Sequence, residues 1–317
     1  MPHPPIIIPE IGKGEEQKIS KTAQACDTVA EIIASLKPDT IVVVTPHGPL
    51  FSDAVAVTSG KTISGSFAKF GAPQLRYEYQ IDQHLSKAIV QQAAKQGVFS
   101  AEINPKTARK YGLEYQLDHG SLVPLHFIDQ QYRDYQLVHI TYGLLPKLQL
   151  YSFGRSLKQA VENSRQRVVF IASGDLSHKL SAKGPYEYSP YGAKYDREII
   201  DLLVRGDVPG IFDMDPHTVE AAGECGMRSF YIMLGAMNSL KISGRLLSYE
   251  DTFGVGYGVI SFQTEPTDID TYTRIKEQIQ LRNSARVTTD NPYVRLARES
   301  LTHYLAFGSS LSVPDYV

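Results

Sequence analysis

The chain has no tryptophan and two cysteines, Cys26 and Cys225, in 317 residues. Two cysteines make no disulfide framework, and no CxxC pair exists to begin a zinc site. No stretch approaches the roughly 18 uninterrupted apolar residues of a spanning helix. The apolar run near the start is short, lacks a basic region before it and is broken by Pro9, so no secretory signal is expected. Basic runs are also missing. A net charge of -2 and a pI near 6.5 remove the electrostatic case for nucleic acid or an anionic membrane. These absences point to a reducing, cytoplasmic setting.

What is present is ordinary globular composition, 42% hydrophobic and 21% charged. The length suits one large domain, or one domain plus a fragment. Residues 20–36 predict a helix, with Ala25, Val29, Ile32, Ile33 and Leu36 at helical spacing. "DTIVVVTPHG" reads as a buried strand, Ile41 to Val44, closed by Pro46 and Gly48. "YQIDQHLSKAIVQQAAKQG" predicts a helix stopped by Gly97. "YQLVHITYG" and "RVVFIASGD" are further buried strands; "YDREIIDLLVRGD" and "ECGMRSFYIMLGAMNSL" are helices; "FGVGYGVISF" is a late strand. Strands alternating with helices through residue 263 give an α/β fold, a single large domain whose mostly parallel or mixed sheet is flanked by helices.

The composition turns polar after Gln263, so 264–290 reads as a connector with a helix-like middle. Residues 291–317 then hold a C-terminal helical extension. Asn291 serves as N-cap, Pro292 as first residue and Gly308 as stop. Val294, Leu296, Ala297, Leu301, Tyr304 and Leu305 form its apolar face. Such a face is read as the start of a further domain; docking on the first domain is the plainer alternative.

Nine histidines carry the chemical interest. His47 in "TPHGP" and His178 in "GDLSH" each follow a buried strand, at the sheet edge where α/β proteins bind ligands. His3 precedes an apolar run. It is therefore expected at the opposite edge, unless the next segment is antiparallel or not a strand. His119 and His126 share the Gly/Pro-interrupted "LDHGSLVPLHF". His84 and His303 read as solvated, His139 as a core residue and His217 as a helix-start residue. Glu224 and Cys225 stand at the start of a helix, where an anionic side chain is favoured. The plain alternative is that Glu224 caps the helix and Cys225 is merely buried. Two histidines and a carboxylate with open positions suit non-haem iron(II), or catalytic zinc with a water.

"HPPIIIPEIG", "TPHGP", "LDHGSLVPL", "SGDLSH", "YDREI" and "AGECGMRS" occur in that order. Over residues 1–263 the chain thereby resembles the class III extradiol ring-cleaving dioxygenase superfamily. That branch contains the B subunit of protocatechuate 4,5-dioxygenase and the Memo proteins. The end of the chain resembles the opening of an AMME syndrome candidate protein domain. Residues 291–317 would then be the first helix of a truncated AMME-type domain, with 264–290 as linker. The resemblance implies His3 and His47 as metal ligands, with Glu224 or Cys225 as the third. Glu224 is favoured, because oxygen suits iron(II) better than a soft thiolate. It further implies His178 as the acid–base residue, His119 as a catalytic residue lining the substrate site, and His126 behind His119. Iron(II) is the implied cofactor, with zinc, manganese and copper as alternatives. A catechol-type aromatic diol and dioxygen are the implied substrates. A homodimer and a radical S-adenosylmethionine protein partner are compatible with the family. A Memo-like metal-binding redox or partner protein without ring cleavage is the alternative function, and a zinc hydrolase the third.

Overall fold

The computed structural model describes residues 1–289 and 292–313. It divides into two units, Met1–Ile269 and Asp270–Val317.

The first unit is built on a five-stranded sheet. Its strands are β1 (Thr40–Thr45), β2 (Val55–Thr58), β5 (Ser100–Ile103), β6 (Gln136–Thr141) and β7 (Val168–Ala172), in the order β5-β2-β6-β1-β7. β1 pairs in parallel with both β6 and β7. β2 is parallel to β5 but antiparallel to β6, so the sheet is mixed. Two hairpins stand apart from it: β3 (Thr62–Phe67) with β4 (Ala72–Gln80), and β8 (Leu240–Glu250) with β9 (Tyr257–Pro266). All six residues of β1 are buried, as a central strand covered on both faces requires. Because β1, β6 and β7 run in parallel, their carboxyl ends share one edge, and the loops leaving that edge build the site.

In chain order the first unit's helices are α1 (Pro9–Gly12), α2 (Ser20–Leu36), α3 (Gln83–Lys95), α4 (Pro105–Tyr111), α5 (His119–Gln131), α6 (Lys147–Ser164), α7 (Pro190–Arg205), α8 (Val208–Asp213), α9 (Pro216–Ala222) and α10 (Met227–Ala236). α2 matches the periodicity of residues 20–36 and buries Ala25, Val29 and Ile33. α3 begins later than its apolar pattern suggests, because Tyr79 and Gln80 belong to β4 and Asp82 caps the helix through Leu85 N–H, 2.9 Å.

The start of the chain corrects one expectation. Pro5–Ile7 is a 3-10 turn followed directly by α1, not a strand. Proline opens both elements, where its missing N–H costs nothing. Ile7 and Ile8 are buried and anchor the segment. Ahead of them, the Met1 amine donates to Ala172 O (2.8 Å) and Gly174 N–H donates to Met1 O (3.1 Å). The chain start is thus stitched to the end of β7, and His3 stands at the same edge as His47 and His178.

The second unit holds α11 (Thr271–Thr289) and α12 (Pro292–Phe307), with Gly308 left-handed at φ 67° after the latter. Most of the stretch read as a connector is therefore helix. The Asn291 cap and the side chain of Leu305 lie outside the described residues. Val294, Leu301 and Tyr304, expected on a core-seeking face, stand exposed. Among the described residues, no helix is long and apolar enough to cross a membrane.

Candidate metal centre and its cleft

Five separate stretches meet at the carboxyl edge of β1 and β7. His3 Nε2 lies 2.9 Å from His47 Nε2 and 3.7 Å from Cys225 Sγ. His119 stacks on His47 with centroids 4.2 Å apart and stands edge-on to His3 at 5.5 Å. Two sets of donor atoms each fall within a 4.8 Å span: His3, His47 and Cys225, and Asp175, His178 and Cys225.

Local structure explains each placement. His47 follows β1 directly. His119 opens α5, whose cap Asp118 accepts from Ser121 N–H (3.2 Å) and from the Thr45 hydroxyl (2.5 Å). The loop after β7 carries Asp175 and His178, and passes the turn that carries Cys225 at two glycines. A Cβ on Gly174 would lie 2.1 Å from Gly226 Cα, so only glycine fits there. Past that crossing, Asp175 N–H donates to Cys225 Sγ at 3.2 Å.

The tautomer of His3 follows from a proline. Pro124 sits inside α5 and has no N–H, which frees the carbonyl of Gly120 four residues earlier. The Ser173 hydroxyl donates to that carbonyl. Its oxygen therefore accepts from His3 Nδ1–H, 2.9 Å away. The Nε2 lone pair of His3 is left facing His47 and Cys225, as a ligand held by a partner behind it would be. Asp175 Oδ1 accepts the His3 main-chain N–H at 2.8 Å, fixing the backbone too.

Burial sets the protonation states. It holds His3 well below the usual imidazole range, helped by His47 and His119, and it lowers His47. His119 and His178 are each pushed down to about 4, by burial and then by His47. All four rings are neutral at pH 7, the state a metal or an acid–base role requires. Burial pushes Asp175 up to about 7 and the Cys225 thiol well above its ordinary value. Two imidazoles and a thiol converging on one point, with lone pairs facing, fit a divalent transition metal.

The structure separates the two candidates for third ligand. Cys225 points to His3. Glu224 instead accepts Met227 N–H at 2.6 Å at the mouth of α10, and it belongs to neither donor set. That is the geometry of the capping alternative for Glu224. His126 also lies elsewhere. Its ring contacts are Phe67, Tyr77 and Phe127, and its nitrogens meet the Tyr77 hydroxyl (2.6 Å) and Gln130 (3.1 Å). His139 is buried in β6, yet it is more than filler: it joins Thr58 (2.9 Å) to Asp118 (3.3 Å), behind His119.

A cleft of about 540 Å³ opens beside the centre, with His47, His119, Leu117, Leu122, Phe70 and Lys69 in its walls. Phe70, from the turn between β3 and β4, stands 5.3 Å from His119. Tyr186, half-exposed, stacks on His178 at 5.0 Å. Sequence reasoning passed over Ser173, Asp175, Phe70 and Tyr186. The first two lie inside the quoted "SGDLSH"; the two aromatics come from loops with no signal of their own.

The family described as the catalytic LigB subunit of aromatic ring-opening dioxygenase matches residues 1–260. The chain belongs to the LigB family. A Clostridium acetobutylicum protein is 44% identical over 321 residues, covering 100% of this chain and 68% of that protein. The beta subunit of 2-aminophenol 1,6-dioxygenase from a Pseudomonas species is 24% identical over 294 residues, 82% of this chain and 91% of that one. A MEMO1 family protein of Methanosarcina acetivorans is 30% identical over 142 residues, 44% and 50% of the two chains. LigB membership thus puts the chain in a superfamily of ring-opening dioxygenases that has Memo-like relatives. The family match stops short of the second unit.

The lowered pKa of His178 makes one prediction independent of any activity. Between pH 4 and 6.5 the unfolded chain binds a proton there that the folded chain does not. This contribution to stability is full above 6.5 and lost as pH falls towards 4. Asp175 and Asp196, both raised to about 7, act in the opposite sense, so the comparison of variants is what isolates His178. In metal-free protein, His178→Asn is expected to flatten the pH slope of unfolding free energy in that window by at most about 1.4 kcal/mol per pH unit. Urea unfolding at pH 4.5, 5.5 and 6.5 measures it; identical slopes would show that burial does not shift His178.

Proposed function

We propose that the chain is a non-haem iron(II) dioxygenase that opens the ring of a catechol-type aromatic diol beside a hydroxyl-bearing carbon. His3, His47 and Cys225 would hold the metal, and His178 would act as acid–base residue. The carrying observation is the convergence of His3 Nε2, His47 Nε2 and Cys225 Sγ beside an aromatic-walled cleft. Iron(II), when bound, supplies the activation of dioxygen and a docking point for the two diol oxygens.

The chain's own residues handle geometry and protons. A neutral His178 takes a proton from the diol at its free ring nitrogen and returns it after cleavage. Such a base contributes about 10²–10⁴-fold in rate. His119, neutral and stacked on His47, faces the cleft, where it can donate to or accept from a substrate oxygen. Leu117, Leu122 and Phe70 supply the apolar wall that an aromatic ring needs.

The deciding experiment reconstitutes the protein anaerobically with Fe(II), then follows oxygen uptake across catechols and 2-aminophenol. Uptake of one dioxygen per ring opened, lost in His178→Ala with metal retained, is the expected result. Bound iron with no uptake on any diol overturns it. The second reading, a Memo-like metal protein without ring cleavage, is supported by the nearness of Cys225 Sγ to His3 and His47 and by the MEMO1 family relative. Hydrolysis with zinc and no oxygen would identify a hydrolase instead.

A further inference from the structure

"YDREI" is the one motif that the candidate site leaves unused. Its aspartate, Asp196 in α7, is buried although charged residues are rarely so unless paired. Both of its oxygens are engaged. Oδ1 accepts Ser177 N–H at 2.8 Å, and Oδ2 accepts the Tyr249 hydroxyl of β8 at 2.7 Å. Ser177 immediately precedes His178.

Every other polar group of Ser177 is tied down as well. Its carbonyl accepts Gly256 N–H at 2.8 Å, and its hydroxyl donates to Ala222 O at 2.9 Å. Ala222 O also accepts His178 N–H at 3.2 Å. Ala222 lies three residues before Cys225 in the sequence. The backbone under His178 is therefore held from α7, from the β8–β9 hairpin and from the turn leading to Cys225. Gly256 closes the arrangement, since a Cβ there would lie 2.1 Å from Asp196 Oδ2.

We infer that Asp196, with Tyr249 behind it, is a positioning residue that clamps the Ser177 peptide and so fixes His178 beside Asp175 and Cys225. The inference rests on the proposed acid–base role of His178. It does not require charge on Asp196. Burial pushes this carboxyl up to about 7, and a protonated acid makes the same two contacts, accepting from Ser177 and donating to Tyr249. An asparagine can do likewise.

Asp196→Ala should lower kcat about 100-fold, the cost of misplacing a catalytic group by roughly 1 Å. KM and bound metal should change by less than about threefold, since neither cleft wall nor ligands move on the transition-state-only pattern of loss. Asp196→Asn should recover activity to near wild type. A second readout needs no turnover: carbethoxylation of His178 by diethyl pyrocarbonate, followed by peptide mass spectrometry. Asp196→Ala should speed it severalfold, as the loop loosens from Tyr186, whereas Asp196→Asn and the rates at His84 and His217 should not change. If Asp196→Ala does not fold, Tyr249→Phe replaces it in the same assays, with a smaller loss of kcat and a faster modification of His178. An asparagine variant as impaired as the alanine, or an unchanged His178 rate in folded Asp196→Ala or Tyr249→Phe, overturns the clamp. Failure of wild-type protein to open any ring would overturn the proposed function alone, with the modification rates still deciding the clamp.

Discussion

Replacing His47 by alanine is expected to weaken metal binding by more than about 100-fold, beyond the usual 10–100-fold effect of groups standing behind a ligand. It should also abolish turnover while leaving the fold intact. His47 stands on a loop past β1 with its side chain partly open to solvent, so its loss creates no core cavity. His3→Ala is the less clean variant. His3 is buried, and its removal strands the Ser173 hydroxyl, adding a folding cost to the loss of a ligand. Ser173→Ala completes the series. It removes the acceptor that sets the His3 tautomer, and a 10–100-fold loss of affinity is expected. Metal content after dialysis, with thermal unfolding of the metal-free forms, checks all three. Wild-type metal content in His47→Ala would remove His47 from the centre.

The elements with strong periodicity were legible in the sequence. Ile41 to Val44 could only be a buried strand, and the spacing from Ala25 to Leu36 could only be a helix. Of the hairpin strands, only β9 was read, from "FGVGYGVISF". β4, "APQLRYEYQ", and β8, "LKISGRLLSYE", are polar and only partly buried, so neither shows a clean apolar face. β2 and β5, of four residues each, are too short for a periodic signal.

The site was half legible for a related reason. His47 and His178 follow recognisable strands, so their edge of the sheet could be inferred. His3 could not be placed, because its position depends on Met1 pairing with Ala172, 171 residues away, and with Gly174, and on a turn where the isoleucines suggested a strand. His126 was linked to His119 through proximity in sequence. Seven residues along α5 make nearly two full turns, which carry it roughly 10 Å further along the same side of the helix, where Tyr77 and Gln130 engage it. Pro124 was the overlooked signal. A proline inside a helix frees a carbonyl, and here that carbonyl orients the serine behind His3.

The choice between Glu224 and Cys225 gives the second large effect. The first N–H groups of α10 need acceptors, and Glu224 supplies one to Met227. A carboxylate committed there is turned from His3. The neighbouring Cys225 is brought inward by the Gly174–Gly226 crossing and by Asp175 N–H. Cys225→Ala should therefore lose the metal, with affinity down by more than about 100-fold as for His47. Glu224→Gln, which keeps an acceptor for Met227, should retain metal and stability. Glu224→Ala should retain metal but lose about 1 kcal/mol of stability, the usual cost of a missing helix cap. Cobalt substitution reads the ligand directly. Wild type and Glu224→Gln should show the near-ultraviolet thiolate-to-metal band, and Cys225→Ser should not. Metal loss in Glu224→Ala with retention in Cys225→Ala would reverse the assignment. A thiolate and a carboxylate bring the same charge to two neutral imidazoles, so the exchange alters softness rather than net charge. Cys225→Ala should consequently cost more affinity for zinc or copper(I) than for manganese, and competition between these ions in the two proteins measures that difference.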